Sequence, residues 1–306
     1  MFLELKSRIQ ACKLSLVALS YLGVVLIWST TPLAIKWSAE ETGFVFAVLS
    51  RMLIGAVLAL LILVIVKRKL EYSKAAIKVY LAAALSIYGS MQLVYWGAVY
   101  IPSGLIAVIF GFAPVLTSLL ANKYLNEKKT RHYQWLAMAV SIAGLTIIFF
   151  DAFIAGLLII KGTFLILLAV VLHSSSAVMI KALKVKMSAL SLTTGGLLIS
   201  LPLFAVTWFM NDVALPTEIS VKAAFSIVYL AAMGSVVGFV LYYFLLESLT
   251  ASVVALITLI TPVSALLLGV FLNNEVITIN LLTGTLLVLA GLVFYQWGHA
   301  FIRRTD

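Results

Sequence analysis

The chain contains a single cysteine, Cys12, and one thiol can form neither an intrachain disulfide framework nor a cysteine metal cluster. Charge is nearly as scarce, with 10% of the 306 residues being Asp, Glu, Lys or Arg, against about 25% in a soluble domain. Carboxylates are missing where they would matter most. Asp151 and Glu247 lie near the ends of apolar runs and none lies mid-run, so a relay of buried carboxylates has little to work with. There is no Gly-Lys-Ser phosphate loop, no His-Glu metalloprotease pair and no nucleotide-binding domain, so nucleotide hydrolysis would need a separate partner. Paired carboxylates, a Ser-His-Asp set and metal-ligand clusters are also lacking, which counts against intramembrane catalysis. No metal or other cofactor is expected.

What the chain does have is oil: 64% of its residues are hydrophobic and the mean hydropathy is +1.18. A helix crosses about 30 Å of hydrocarbon with about 20 apolar residues. On that measure the sequence predicts an all-α membrane protein with ten spans, near 15–35, 44–66, 77–99, 102–122, 132–151, 156–180, 188–209, 222–246, 251–272 and 277–299. Residues 1–14 read as a cytosolic leader and 300–306 as a cytosolic tail. With both ends inside, seventeen of the 21 Lys and Arg fall in cytosolic segments. Lys36, Lys161 and Lys222 fall outside, and Arg51 falls within a span. That asymmetry is the positive-inside pattern of a multi-pass inner-membrane protein. It accounts for the net charge of +10 through anionic lipid, with no nucleic-acid partner required.

The sequence also repeats itself. "APVLTSLLANKYLNE" at 113–127 returns as "TPVSALLLGVFLNNE" at 261–275, pairing Pro114 with Pro262 and Glu127 with Glu275. "WSTTPLAIK" at 28–36 is echoed by "HSSSAVMIK" at 173–181. Two five-helix units, 15–151 and 152–299, follow. An odd helix count makes the second unit enter from the opposite side, so the repeats are inverted around a central cavity. Inverted repeats can exchange conformations about a midplane site, which is the logic of alternating access. A membrane enzyme or lipid-handling protein without net solute movement is the alternative.

Several side chains are candidates for the walls of that cavity. Trp28 and Ser29 on the first span, His173 and Ser174 on the sixth, and Tyr242 and Tyr243 on the eighth combine polarity with aromatic surface. On the third span Tyr88, Gln92 and Tyr95 recur at three- to four-residue spacing beside Trp96, which predicts one shared face. Polar groups in hydrocarbon are costly unless paired or wetted, so each is either an interhelical hydrogen bond or a solute contact. Pro114 and Pro262 read as kinks inside helices, with a gating role as the sharper reading. Glu127 and Glu275 read as caps or ion pairs at opposite surfaces. Arg51, near the outer end of the second span, is expected to snorkel or to pair with Glu40 or Glu41, with contact to an anionic solute as the second reading.

In these stretches, in "SRMLIGAVLALLI" around Arg51, and in "YWGAVYIPSGLIAVIFGFAPVLTSLLANKYLNEKKT" and "YYFLLESLTASVVALITLITPVSALLLGVFLNNEVIT", the chain resembles the EamA-type ten-helix members of the drug/metabolite transporter superfamily over about residues 15–298. The resemblance implies a bundle with a cavity lined by helices one, three, four, six, eight and nine. It also implies export of a small organic solute, such as an amino acid or related amphipathic metabolite. Where the family often has Trp, this chain has His173. Oligomeric state is left open, and a monomer suffices for a central cavity.

Overall fold

Apart from a closed barrel, the helix is the one backbone arrangement that satisfies its own N–H and C=O groups inside hydrocarbon, and the long apolar runs all take it. The computed structural model describes residues 2–125, 131–212 and 215–302, with the side chains of 2–14, 149–155, 259–260 and 296–302 outside the description. In chain order the elements are α1 (Phe2–Thr42), α2 (Phe44–Ile65), α3 (Lys74–Ala98), α4 (Ser103–Leu125), α5 (His132–Ala155) and α6 (Leu157–Leu183). They continue with α7 (Ala189–Met210), α8 (Val221–Ser248), α9 (Ala251–Ala255 followed by Ile257–Asn273) and α10 (Ile279–Ile302). Among the described residues seven of them, α1 to α4 and α6 to α8, are long and apolar enough to cross a membrane. Within the described residues α5, α9 and α10 carry the shorter apolar stretches His132–Ile148, Thr261–Asn273 and Ile279–Tyr295. The protein is an all-α, multi-pass membrane protein. α1 begins at Phe2, so residues 2–14 are helical and continuous with the first span.

Hydroxyl caps start many of the helices. The side chains of Ser73, Ser188, Ser220, Thr250 and Thr278 each accept a hydrogen bond from the backbone N–H three residues on, at 3.1–3.3 Å, satisfying a donor that the first turn leaves orphaned. Pro102 opens α4 in extended geometry, φ −59° and ψ 149°, where its missing N–H costs nothing.

Four helices are irregular inside the bundle. Both α3 and α8 widen into π-helix, at Leu85–Ser90 and Leu230–Val237. A turn at Gly111–Phe112 divides α4, and one at Leu256 divides α9. This corrects one expectation. Pro114 is not inside a continuous helix but is the second residue of the segment Ala113–Leu125, in a first turn that tolerates proline. Pro262 does lie inside the Ile257–Asn273 segment, as Pro32 lies inside α1.

Packing relies on small residues rather than on hydrophobic exclusion, since lipid is as apolar as the helices. α5 and α10 pack along each other, and a Cβ on Gly144 would come within 2.6 Å of the Gly284 carbonyl oxygen and 2.8 Å of the Val288 nitrogen. Between α4 and α9, a Cβ on Gly104 would lie 3.0 Å from the Leu266 Cα. Large apolar side chains instead face outward: Leu19, Leu22 and Leu26 on α1 are 66%, 59% and 69% exposed and form a stripe suited to lipid tails.

Candidate functional site

The faces of seven helices meet around a small cavity of about 70 Å³. Helix α1 contributes Trp28, Thr31, Pro32 and Ile35, which share one face at three- and four-residue spacing. Arg51 enters from α2, Met91 and Val94 from α3, and Phe110 from α4, just before that helix breaks. His173 comes from α6, Gly234 and Phe239 from α8, and Thr258 and Thr261 from α9.

One wall is aromatic. The centroids of Trp28 and His173 lie 5.6 Å apart, those of Trp28 and Tyr242 5.2 Å, of His173 and Tyr242 5.4 Å, and of Phe110 and His173 5.9 Å. The His173 ring is held on both sides: Nδ1 pairs with the Ser86 hydroxyl at 3.0 Å and Nε2 with the Tyr242 hydroxyl at 3.4 Å. A neutral imidazole has one donor and one acceptor, so two hydroxyls that can each play either role satisfy it in either tautomer.

Arg51 also lines the cavity, and it is among the largest fully buried side chains of the described residues, 1% exposed. It neither snorkels nor pairs with Glu40 or Glu41. Glu40 is paired with Lys36 at 3.4 Å, one turn earlier on the same helix. Arg51 sits two turns inside α2, too deep for its side chain to reach the surface along that wall. Nε donates to the Ser235 hydroxyl at 2.9 Å, Nη1 donates to the Tyr95 hydroxyl at 3.4 Å, and the guanidinium lies 5.8 Å from the centroid of the Tyr95 ring. The two π-helical segments thus perform parallel tasks, Ser86 serving His173 and Ser235 serving Arg51.

Two prolines interrupt the helical hydrogen bonding beside the cavity. Pro32 and Pro262 have no N–H for the carbonyls four residues earlier, those of Trp28 and Thr258, and both of those residues line the space.

The remaining expected residues are dispersed. Ser29 donates to the Val25 carbonyl within its own helix at 2.7 Å. Tyr88 faces α7, bonded to the Thr207 hydroxyl at 2.8 Å with its ring 4.9 Å from Phe204. Trp96 stacks on Phe44 at 6.1 Å under the Lys161 ammonium at 4.8 Å. Ser174 donates to the Ala113 carbonyl at 3.4 Å. The Gln92 side-chain oxygen and the Tyr243 hydroxyl are buried without a hydrogen-bond partner among the described residues, and neither residue lines the cavity. The π-helical turn through Leu85–Ser90 shifts the helical phase between Tyr88 and Tyr95, so the face expected to unite them is split.

Away from the cavity, Glu275 bridges two helices. Its carboxylate accepts from the backbone N–H groups of Ser103 at 3.0 Å and Gly104 at 3.4 Å, the first turn of α4, where the helix dipole favours an anion. The Asn273 amide donates to the same carboxylate at 3.1 Å and accepts from the Trp37 indole N–H at 2.7 Å. Glu127 lies outside the described residues.

An all-helical membrane bundle with broken helices around a buried, partly polar cavity is the plan of a membrane transporter. The sequence profile of the EamA-like transporter family matches residues 15–150 and again 160–296, and the chain belongs to that family. Membership places it among transporters rather than enzymes. It is 25% identical over 278 residues to the uncharacterized transporter YoaV of Bacillus subtilis (strain 168), covering 90% of this chain and 95% of the relative. A transporter of Archaeoglobus fulgidus is 27% identical, covering 88% and 94%, and the protein PagO of Salmonella typhimurium is 27% identical, covering 86% of each. A crystal structure with a TM-score of 0.64 and 16% identity spans 95% of this chain and 99% of its own, and shares the fold.

Proposed function

We propose that the protein is a secondary transporter that moves a small organic metabolite, of amino-acid size and amphipathic, across the cell inner membrane by alternating access, in the export direction. In this reading ten spans form two inverted five-helix repeats, 15–151 and 152–299, with both termini in the cytosol. The observation that carries it is the cavity itself, to which the first repeat brings Trp28, Arg51 and Phe110 and the second brings His173, Gly234 and Thr261.

A doubled interaction supports the repeat. Lys36, at the end of α1, donates to the Ile101 carbonyl past the end of α3 at 3.1 Å. Lys181, at the end of α6, donates to the Leu249 carbonyl past the end of α8, and to that of Leu246 at 2.6 Å. The lysines are 145 residues apart and the carbonyls 148, the offsets of the sequence repeat. The family profile's two matches fall on the same halves. The Glu275 and Trp37–Asn273 contacts join the two halves at the surface that this topology makes external, so they latch an outer gate, and Pro262 supplies a bend in the helix that carries the latch.

Reconstitution tests the reading. Protein-containing liposomes loaded with labelled metabolites should release at least one of them by saturable flux, and lipid composition should stay unchanged. Turnover of lipid without solute flux would replace the carrier with a lipid-handling protein.

A further inference from the structure

Arg51 poses a problem that the transporter reading leaves unsolved. A guanidinium keeps its charge in proteins, and a buried cation is retained where something neutralises it. Its protein partners are neutral, the hydroxyls of Ser235 and Tyr95, and no carboxylate pairs with it among the described residues. Nη2 has no acceptor among them. It lies where a Cβ on Gly234 would come within 3.0 Å, and Arg51 and Gly234 both line the cavity. Glycine at that position leaves the cationic edge uncovered on the cavity side. The Ser235 and Tyr95 bonds fix the orientation of the group without consuming its charge. Apart from Thr31, Thr258, Thr261 and His173 the rest of the lining is apolar or aromatic, with Trp28 and Phe110 beside His173.

We propose that Arg51 binds the carboxylate of the transported solute, and that the solute class is monocarboxylates with an aromatic or branched apolar body that packs against Trp28 and Phe110. One fixed cation complements one negative charge. A planar carboxylate matches the guanidinium edge, and an apolar lining suits a body without further charge. The assignment deepens the transporter reading and rests on it for the word "transported".

The test uses the full-length protein in detergent or nanodiscs with radiolabelled 3-phenylpropionate and 4-methylpentanoate. Their primary amides serve as neutral counterparts. Each acid should bind saturably, and each amide about tenfold or more weakly, since the amide leaves the buried charge unpaired. Arg51→Gln should abolish the preference for acid over amide, and Arg51→Lys should keep part of it. The acid and amide comparison on the unaltered chain needs no variant to fold. Amides that bind as tightly as the acids, acids that fail to bind, an unchanged preference in Arg51→Gln, or complete displacement of the acids by chloride would each overturn the proposal. Flux separates the two readings. Vesicles that transport the amides but not the acids uphold the carrier and sink the carboxylate site. Acid binding that depends on Arg51, without flux of any solute, does the reverse.

Discussion

His173 shares its hydrogen bonds with Ser86 and Tyr242 and its ring faces with Trp28 and Phe110, so one substitution separates the two kinds of contact. His173→Phe keeps an aromatic ring and strands two buried hydroxyls, and should cost about 1–3 kcal/mol. Thermal unfolding of the purified protein in one detergent measures it. Adding Ser86→Ala should cost less than the sum of the two single changes, because the hydroxyl that would be stranded is gone. The sequence singles out His173 as the histidine near the middle of a span, yet neither of its partners is legible from spacing, since they lie 87 and 69 residues away. Arg51 shows the opposite error. Its nearest acids in sequence, Glu40 and Glu41, suggested a partner, while the chain actually turns it inward to Ser235, 184 residues on.

Among the elements, α4 and α9 carry matching prolines in unlike settings. Pro262→Ala restores an N–H to the Thr258 carbonyl and should straighten α9, shifting the accessibility of single-cysteine probes between the two vestibules. Pro114→Ala changes a first-turn position and should leave labelling near that of the unaltered protein. Equal effects from the two would show that the turn at Gly111–Phe112 does not uncouple Pro114 from the rest of its helix. α5 and α10 provide a packing test. Gly144→Leu forces a side chain into the Gly284 backbone and should cost about 1–3 kcal/mol or more, read as a lower unfolding temperature. The helices were legible because about 20 consecutive apolar residues leave few alternatives. The π-helical turns were not, because one extra residue per turn alters no residue type, and with them went the phase that separates Tyr88 from Tyr95.

For the whole molecule, the contact from Glu275 to the first turn of α4 makes a prediction about state. Glu275→Gln removes the negative charge from a helix N-terminus and weakens the Asn273 bond, which should cost about 1 kcal/mol and raise outer-vestibule labelling about fivefold. Unchanged labelling would make the contact a static cap. A reporter fused after Asp306 should be active in the cytosol, and activity confined to the other side would overturn the even number of spans. What the sequence by itself determined is the class of solution: apolar length demands helices, and a repeat offset of 145 to 148 residues aligns one half of the sequence with the other. These are sums over many residues, and they tolerate errors at any one of them. The tertiary structure alone decided which side chains meet in the cavity. That outcome depends on helix phase and on contacts such as Arg51 to Ser235, Ser86 to His173 and Glu275 to Ser103, which join residues far apart in the chain. A helical face rotates by about 100° with each residue, so a single π-helical turn is enough to move a side chain from the cavity to a neighbouring helix.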